Sequence, residues 1–335
     1  MKPAFRLKVC NGTGCISAMQ RKRASASGGL LETLLHRVGV PVSDRPAARS
    51  GLKRTFASNW HTLVMRQQFH QTITVLSNAF QRLEQQVPAP QLVPHGDGHV
   101  FRFAEKTLTQ ALLLKLARVV TGLRALDVLL VNGLLQEMAS VCRMLDEIAE
   151  DIAFLVTALT NDEVTELHER YLRAFWAEEF TDHSNMLARH EKPDTPRRNK
   201  VQAYVHRALN SENPSQVSDV NQAMSSTYSG FVHASAPQVM DLYGGNPPRF
   251  HIEGMLGTPL MTTHVYDAWN YFYRAVLTTI FVARAFGDGP LSTALGDYHD
   301  RFLERSGERA QGVRPIARKE PPNRNSGDYP PANYK

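Results

Sequence analysis

Cysteine is scarce: Cys10, Cys15 and Cys142 are the only three. An odd, widely spaced set supplies no disulfide framework and no zinc pattern, and it points to a reducing compartment. Long apolar runs are missing as well. Ala125 to Leu135 and Ala275 to Ala283 are broken or bounded by Arg124, Asn132, Arg274 and Arg284, short of the ~18 uncharged residues that a spanning helix needs. No glycine-rich phosphate loop occurs; Gly12-Thr13-Gly14 and Gly96-Asp97-Gly98 lack the further glycines and the lysine. A Gly-x-Ser-x-Gly elbow is absent too. His95, Asp97 and His99 alternate in a polar turn, which is not a metal-site spacing. The expectation is therefore no metal, no cofactor and no membrane span.

What remains is ordinary globular material, 42% hydrophobic and 21% charged, so collagen-like and wholly disordered readings are excluded. The net charge of +6 invites a nucleic-acid reading until its location is traced. Residues 1 to 55 carry eleven Lys or Arg against Glu32 and Asp44, net +9, and residues 305 to 335 carry net +4. The body between them is left at −7, so the basicity belongs to the ends and RNA finds no footprint on the core. Both ends read as disordered tails: 1–60 is basic with little apolar periodicity beyond Leu30 to Val40, and 305–335 is Pro-rich. The leading stretch, rich in Arg and Ser, has the composition of a transit peptide or of residues ahead of a start nearer Met65.

Residues 61–304 read as one helical domain. Leu134, Met138, Val141, Leu145, Ile148, Ile152, Leu155 and Leu159 alternate steps of four and three, the signature of an amphipathic helix. Leu112, Leu116, Val119, Leu123, Leu126 and Leu130 repeat it upstream, with Asn132-Gly133 between as a turn. An antiparallel helical hairpin is expected at the centre of an all-α multi-helix bundle, a single long helix being the alternative. Further helices are predicted at Met65 to Gln86, Asp162 to Phe180, Arg197 to Leu209, Ser218 to Ala234, Pro259 to Phe286 and Pro290 to Glu304. Two short strands are allowed, at His99 to Phe103 and Arg249 to Ile252. The aromatic run Tyr266, Trp269, Tyr271, Phe272 and Tyr273 sits among apolar residues and reads as packing.

Two constellations stand apart. On the strongest helix Arg143, Glu147 and Glu150 share a face with Gln136, opposite the apolar stripe. Such a face is a solvated, ion-paired surface or part of a site. The second is Tyr228-Ser229-Gly230-Phe231-Val232-His233-Ala234-Ser235, closed by Pro237. There Ser226, Ser229 and His233 align on one side, and His233 can act as a helix cap or as a proton carrier.

An Arg-x-x-x-Glu helix followed by Tyr-Ser-x-x-Val-His-x-Ser resembles a bacterial family of helical domains. That family in turn resembles the HEPN (higher eukaryote and prokaryote nucleotide-binding) superfamily. The likeness spans roughly residues 105 to 285. It implies that Arg143, Glu147, Ser229 and His233 line a shared polar pocket with Tyr228 nearby, in a cytoplasmic protein of defence or stress response. Many members resemble metal-independent ribonucleases carrying Arg, four to six residues, then His on one helix. Here only Arg54 to His61 has that spacing, inside the basic end, and Arg198 to His206 misses it by one.

Three functions follow as expectations. The first is a HEPN-like module acting through a partner or small ligand, with a homodimer or another protein as its company. The second is a metal-independent endoribonuclease or toxin using His233 and Arg143. The third is a purely structural helical interaction protein.

Overall fold

The computed structural model describes residues 51–96, 98–178, 193–208 and 227–306, with backbone alone over 51–64. Helix α1 (Gly51–Glu84) leads to a hairpin of β1 (Gln91–His95) and β2 (Gly98–Arg102), then to α2 (Leu108–Val131) and α3 (Leu135–Thr160). Next come α4 (Glu166–Phe175), α5 (Arg198–Ala208), the short α6 (Ala236–Met240), a two-residue pairing of β3 (Tyr243–Gly244) with β4 (Arg249–Phe250), and the long pair α7 (Pro259–Ala285) and α8 (Gly289–Arg305). The chain is an all-α bundle with an antiparallel hairpin, α2 and α3, at its centre.

Helices α2 and α8 begin where a side chain satisfies orphan N–H groups. Thr107 Oγ1 accepts from Gln110 N at 3.2 Å while Gln110 Oε1 accepts from Thr107 N at 2.8 Å, a reciprocal box that starts α2. Asp288 Oδ1 accepts from Leu291 N at 3.0 Å at the head of α8, and the same carboxylate takes two 2.6 Å bonds from Arg82, which ties α8 to α1. α2 stops at Asn132, and Gly133 turns the chain at φ +68°, a conformation only glycine adopts without strain. The carbonyl of Gly133 then accepts from Met255 N at 2.8 Å, so the corner of the hairpin seats the loop before α7.

α7 closes the bundle by packing across α1, α2 and α3, with α8 running back beside it. Its aromatic run is core: Phe272 is fully buried and stacks on Phe69 of α1 with ring centres 4.3 Å apart, while Trp269 stacks on Tyr273 and Phe302. Removing a buried Leu or Phe of this size from water is worth about 1.5–3 kcal/mol, and Leu76, Leu112, Leu116, Leu123, Leu126 and Leu130 are all sealed in the same core.

Several boundaries differ from expectation. α1 begins at Gly51, not Met65, so the limit drawn at residue 60 falls inside a helix; the helical spacing of Leu52, Phe56, Trp60 and Leu63 is overshadowed by the basic charge of the segment before it. α4 stops at Phe175. Strand β1 was not anticipated; Gln91-Leu92-Val93-Pro94-His95 pairs with β2 in the register Leu92↔Phe101. Residues 1–50, 307–335 and 218–226, with the tail, transit-peptide and helix expectations placed on them, lie outside the described residues.

Candidate functional site

α3 presents two charged faces, and only one is solvated. Arg143 Nη2 and Glu147 Oε1 form an i, i+4 ion pair of 2.7 Å with side chains 27% and 49% exposed, an arrangement contributing about 0–1 kcal/mol. One residue round the helix, Asp146 turns inward. Its Oδ1 accepts from Arg274 Nη1 at 2.6 Å and its Oδ2 from the Tyr271 hydroxyl at 2.8 Å, both on α7. Arg274 lies 5.2 Å over the Tyr271 ring. Burial works against its charge, but Asp146 outweighs that and holds the guanidinium above its usual range. The Arg274 Nε is buried without a hydrogen-bond partner.

The Tyr-Ser motif reaches this same place through its tyrosine. Residues 227–232 are helical. Tyr228 sits edge-on to Tyr271, ring centres 6.4 Å apart. Burial first, then the acidic groups of Cys142, Asp267 and Asp146 around it, push the Tyr228 hydroxyl far above the ordinary phenol range. Tyr271 and the sealed Cys142 thiol are raised by burial and by Asp146 as well. These groups stay protonated at neutral pH, so Cys142 is no nucleophile. At the rim, His264 Nδ1 lies 3.3 Å from Asp267 Oδ2, one turn before Tyr271.

Ser229 and His233 behave differently. The His233 N–H makes the ordinary helical bond to the Ser229 carbonyl at 3.0 Å. Ser235 N bonds to Gly230 O at 2.9 Å and Ala234 N to Phe231 O at 3.4 Å, with Ala234 at φ +52°. That is a Schellman stop with His233 as the capping residue, and the His233 side chain is exposed. Among the described residues, no hydrogen bond or ion pair joins Arg143 or Glu147 to Ser229 or His233. Gln136, the fourth member of the Arg143 face, donates to Gln238 O at 2.7 Å. The Arg143 face thus reaches α6 through Gln136, and the Tyr-Ser motif reaches α7 through Tyr228.

A second charged cluster holds α5. Asp151, buried, takes Lys115 Nζ at 2.7 Å and Arg198 Nη1; Arg198 also grips Glu150 at 2.7 Å and the Glu147 carbonyl. Gln202 adds bonds of 3.1 and 3.2 Å to Glu150. Every charge there has a partner, so the cluster is a clamp. Of the near-miss pair, Arg198 is spent in it, whereas His206 is buried with neither ring nitrogen bonded and its pKa lowered by burial. His168 is structural too, accepting from Thr165 N on Nδ1 at 3.2 Å and donating from Nε2 to Phe154 O at 3.1 Å. His251, placed beside the long loop, bonds to Gly244 O at 3.2 Å within it.

Asp146, Tyr271 and Arg274 are the polar residues that sequence reasoning passed over. Their signal was present: Asp146 continues the line of Cys142 and Ala149 on the apolar side, and Arg274 is the lone charge in an otherwise apolar stretch. Among the described residues no three His, Cys, Asp or Glu come together as a metal site, and no helix is long and apolar enough to cross a membrane. Comparison with family models, curated proteins and solved structures finds no match.

The remaining feature is apolar. Of the eleven large hydrophobic side chains exposed among the described residues, six lie between positions 232 and 256: Val232, Met240, Tyr243, Phe250, Ile252 and Leu256. Ile252 is 80% exposed. The loop carrying them is firmly built: Tyr243 and Phe250 pair across β3 and β4 with ring centres 4.9 Å apart, and His251 N bonds to Leu242 O at 2.8 Å. Gly254, at φ +120°, rests directly on the Asn132 carbonyl.

Proposed function

We propose that this chain is a cytoplasmic helical interaction module, HEPN-like in kind, that acts by binding another protein through the 232–256 surface. The observation carrying this reading is the concentration of exposed apolar side chains on one hydrogen-bonded loop. Isolated exposed hydrophobes are ordinary, but a cluster of them on a small area marks a contact surface. A loop already held in place loses little freedom on binding, so more of the burial energy becomes affinity. The buried Asp146–Arg274–Tyr271 group is then a platform: with Tyr228 it fixes the segment leading into the surface. Electrostatics support the same choice. α3 carries Glu137, Asp146, Glu147, Glu150 and Asp151 against Arg143 alone, and Arg143 is engaged by Glu147, which is a poor setting for a phosphate.

The test compares the full chain with the Phe250→Asp/Ile252→Asp double variant, both recovered from the native cell and sized by light scattering. A discrete protein complex that the folded variant loses is the expected result. In parallel, the full chain is incubated with RNA in a chelator beside Arg143→Ala and His233→Ala. Cleavage that both folded variants lose would replace the interaction reading with the ribonuclease one.

A further inference from the structure

The centre of the exposed apolar loop is symmetric in its chemistry. Arg249, Phe250, His251, Ile252 and Glu253 run positive charge, apolar, histidine, apolar, negative charge, and the four residues flanking the histidine are exposed. Phe250 is held by its ring contact with Tyr243, and His251 by its bond to Gly244 O, so the segment keeps one shape. Its two charges are unspent within the chain. Across the β3–β4 ladder Arg249 faces Gly244, which has no side chain to offer, and among the described residues neither Arg249 nor Glu253 forms an ion pair.

A surface shaped for an unrelated partner has no reason to repeat its own chemistry in reverse, whereas a surface shaped for a copy of itself does. In a two-fold contact residue i meets j and j meets i. With the axis beside His251, Arg249 faces Glu253 of the partner subunit and Phe250 faces Ile252 of the partner subunit, and each contact is made twice. Opposite charges then meet at both ends of an apolar centre, the arrangement that fixes register between two surfaces. The extent is also adequate. Seventeen of the 25 positions from 232 to 256 are exposed, close to the roughly 20–30 residues that each side of a standard interface contributes. Val128, 59% exposed and one turn before Asn132, carries the apolar surface past Leu256, whose side chain lies against Gly133. We propose that the partner bound at the 232–256 surface is a second copy of this chain, joined about a two-fold axis beside His251. This rests on the interaction reading above and names its partner.

Sedimentation equilibrium of the ribonuclease-treated full chain over a range of concentrations tests it. The expected mass rises from 37.5 kDa toward twice that value as concentration increases. Ile252→Asp, folded by circular dichroism, stays at the monomer mass. Arg249→Glu raises the dissociation constant about tenfold or more, because like charges then meet twice, and Arg249→Glu/Glu253→Arg recovers most of that loss by restoring opposite signs. A chain that stays monomeric throughout, a dimer indifferent to Ile252→Asp, or a charge reversal that the swap does not rescue overturns the proposal. Its failure is distinguishable from that of the interaction reading. If the chain alone is monomeric while Phe250→Asp/Ile252→Asp still loses the complex recovered from the native cell, the second copy falls and the interaction surface stands. If the dimer and the recovered complex both survive that loop variant, the interaction reading falls with it.

Discussion

Asp146 and Glu147 are neighbours on α3, yet 100° of helical rotation sets the first carboxylate against Arg274 and Tyr271 inside and the second against Arg143 at the surface. The difference fixes what each is worth. Glu147→Ala removes an exposed pair and should cost less than about 1 kcal/mol. Asp146→Ala leaves a buried guanidinium without its counter-charge and should cost about 3–5 kcal/mol. Urea unfolding of both variants checks this. Asp146→Leu combined with Arg274→Met should recover much of the loss, because no unpaired charge then remains. Asp146 was hard to single out because it shares a five-residue run with Arg143 and Glu147, and the charged run reads as one surface. Only the partner across the interface, an arginine more than a hundred residues away, separates them.

At the scale of elements, the hairpin was legible because a strong 3.6-residue period and a glycine turn agree. The clamp on α5 was not, since it depends on Lys115, Asp151 and Arg198 meeting from three helices. The same glycine turn carries a prediction. A Cβ on Gly133 would stand 2.7 Å from the backbone nitrogens of Met255 and Leu256 in a conformation already unfavourable for other residues. Gly133→Ala should therefore destabilise by roughly 2 kcal/mol or more, read as a lowered urea midpoint. α4 and α5 each dock with a buried neutral histidine, His168 and His206, and burial lowers the pKa of both. A lowered folded pKa contributes stability above the usual value near 6.5, and that contribution is lost as pH falls through the folded value. The urea midpoint should hold from pH 8 to 6.5 and decline below it. His206→Leu should flatten the decline, and an unchanged slope would assign it to other groups. Glu150, raised chiefly by burial, acts in the opposite sense: its contribution is present below the ordinary carboxylate range and lost as pH rises through its folded value.

For the whole molecule the charge distribution is the property that bulk numbers conceal. A basic average covers an acidic body with basic ends, so association with RNA and recognition by the folded body are separable. Residues 1–55 will attract any polyanion by releasing its counterions, whatever the helices do. Single-stranded RNA binding by the full chain should weaken steeply with added salt. Replacing Arg21, Lys22 and Arg23 by Ser should lower the slope of log K against log salt by about 2, at roughly 0.7 per charge removed. Phe250→Asp/Ile252→Asp, on the folded surface, should leave that slope unchanged. A filter-binding titration across salt concentrations distinguishes the two. If the loop variant lowered the slope as much as the triple variant, RNA would be contacting the folded surface, and the assignment of RNA attraction to the ends alone would fail.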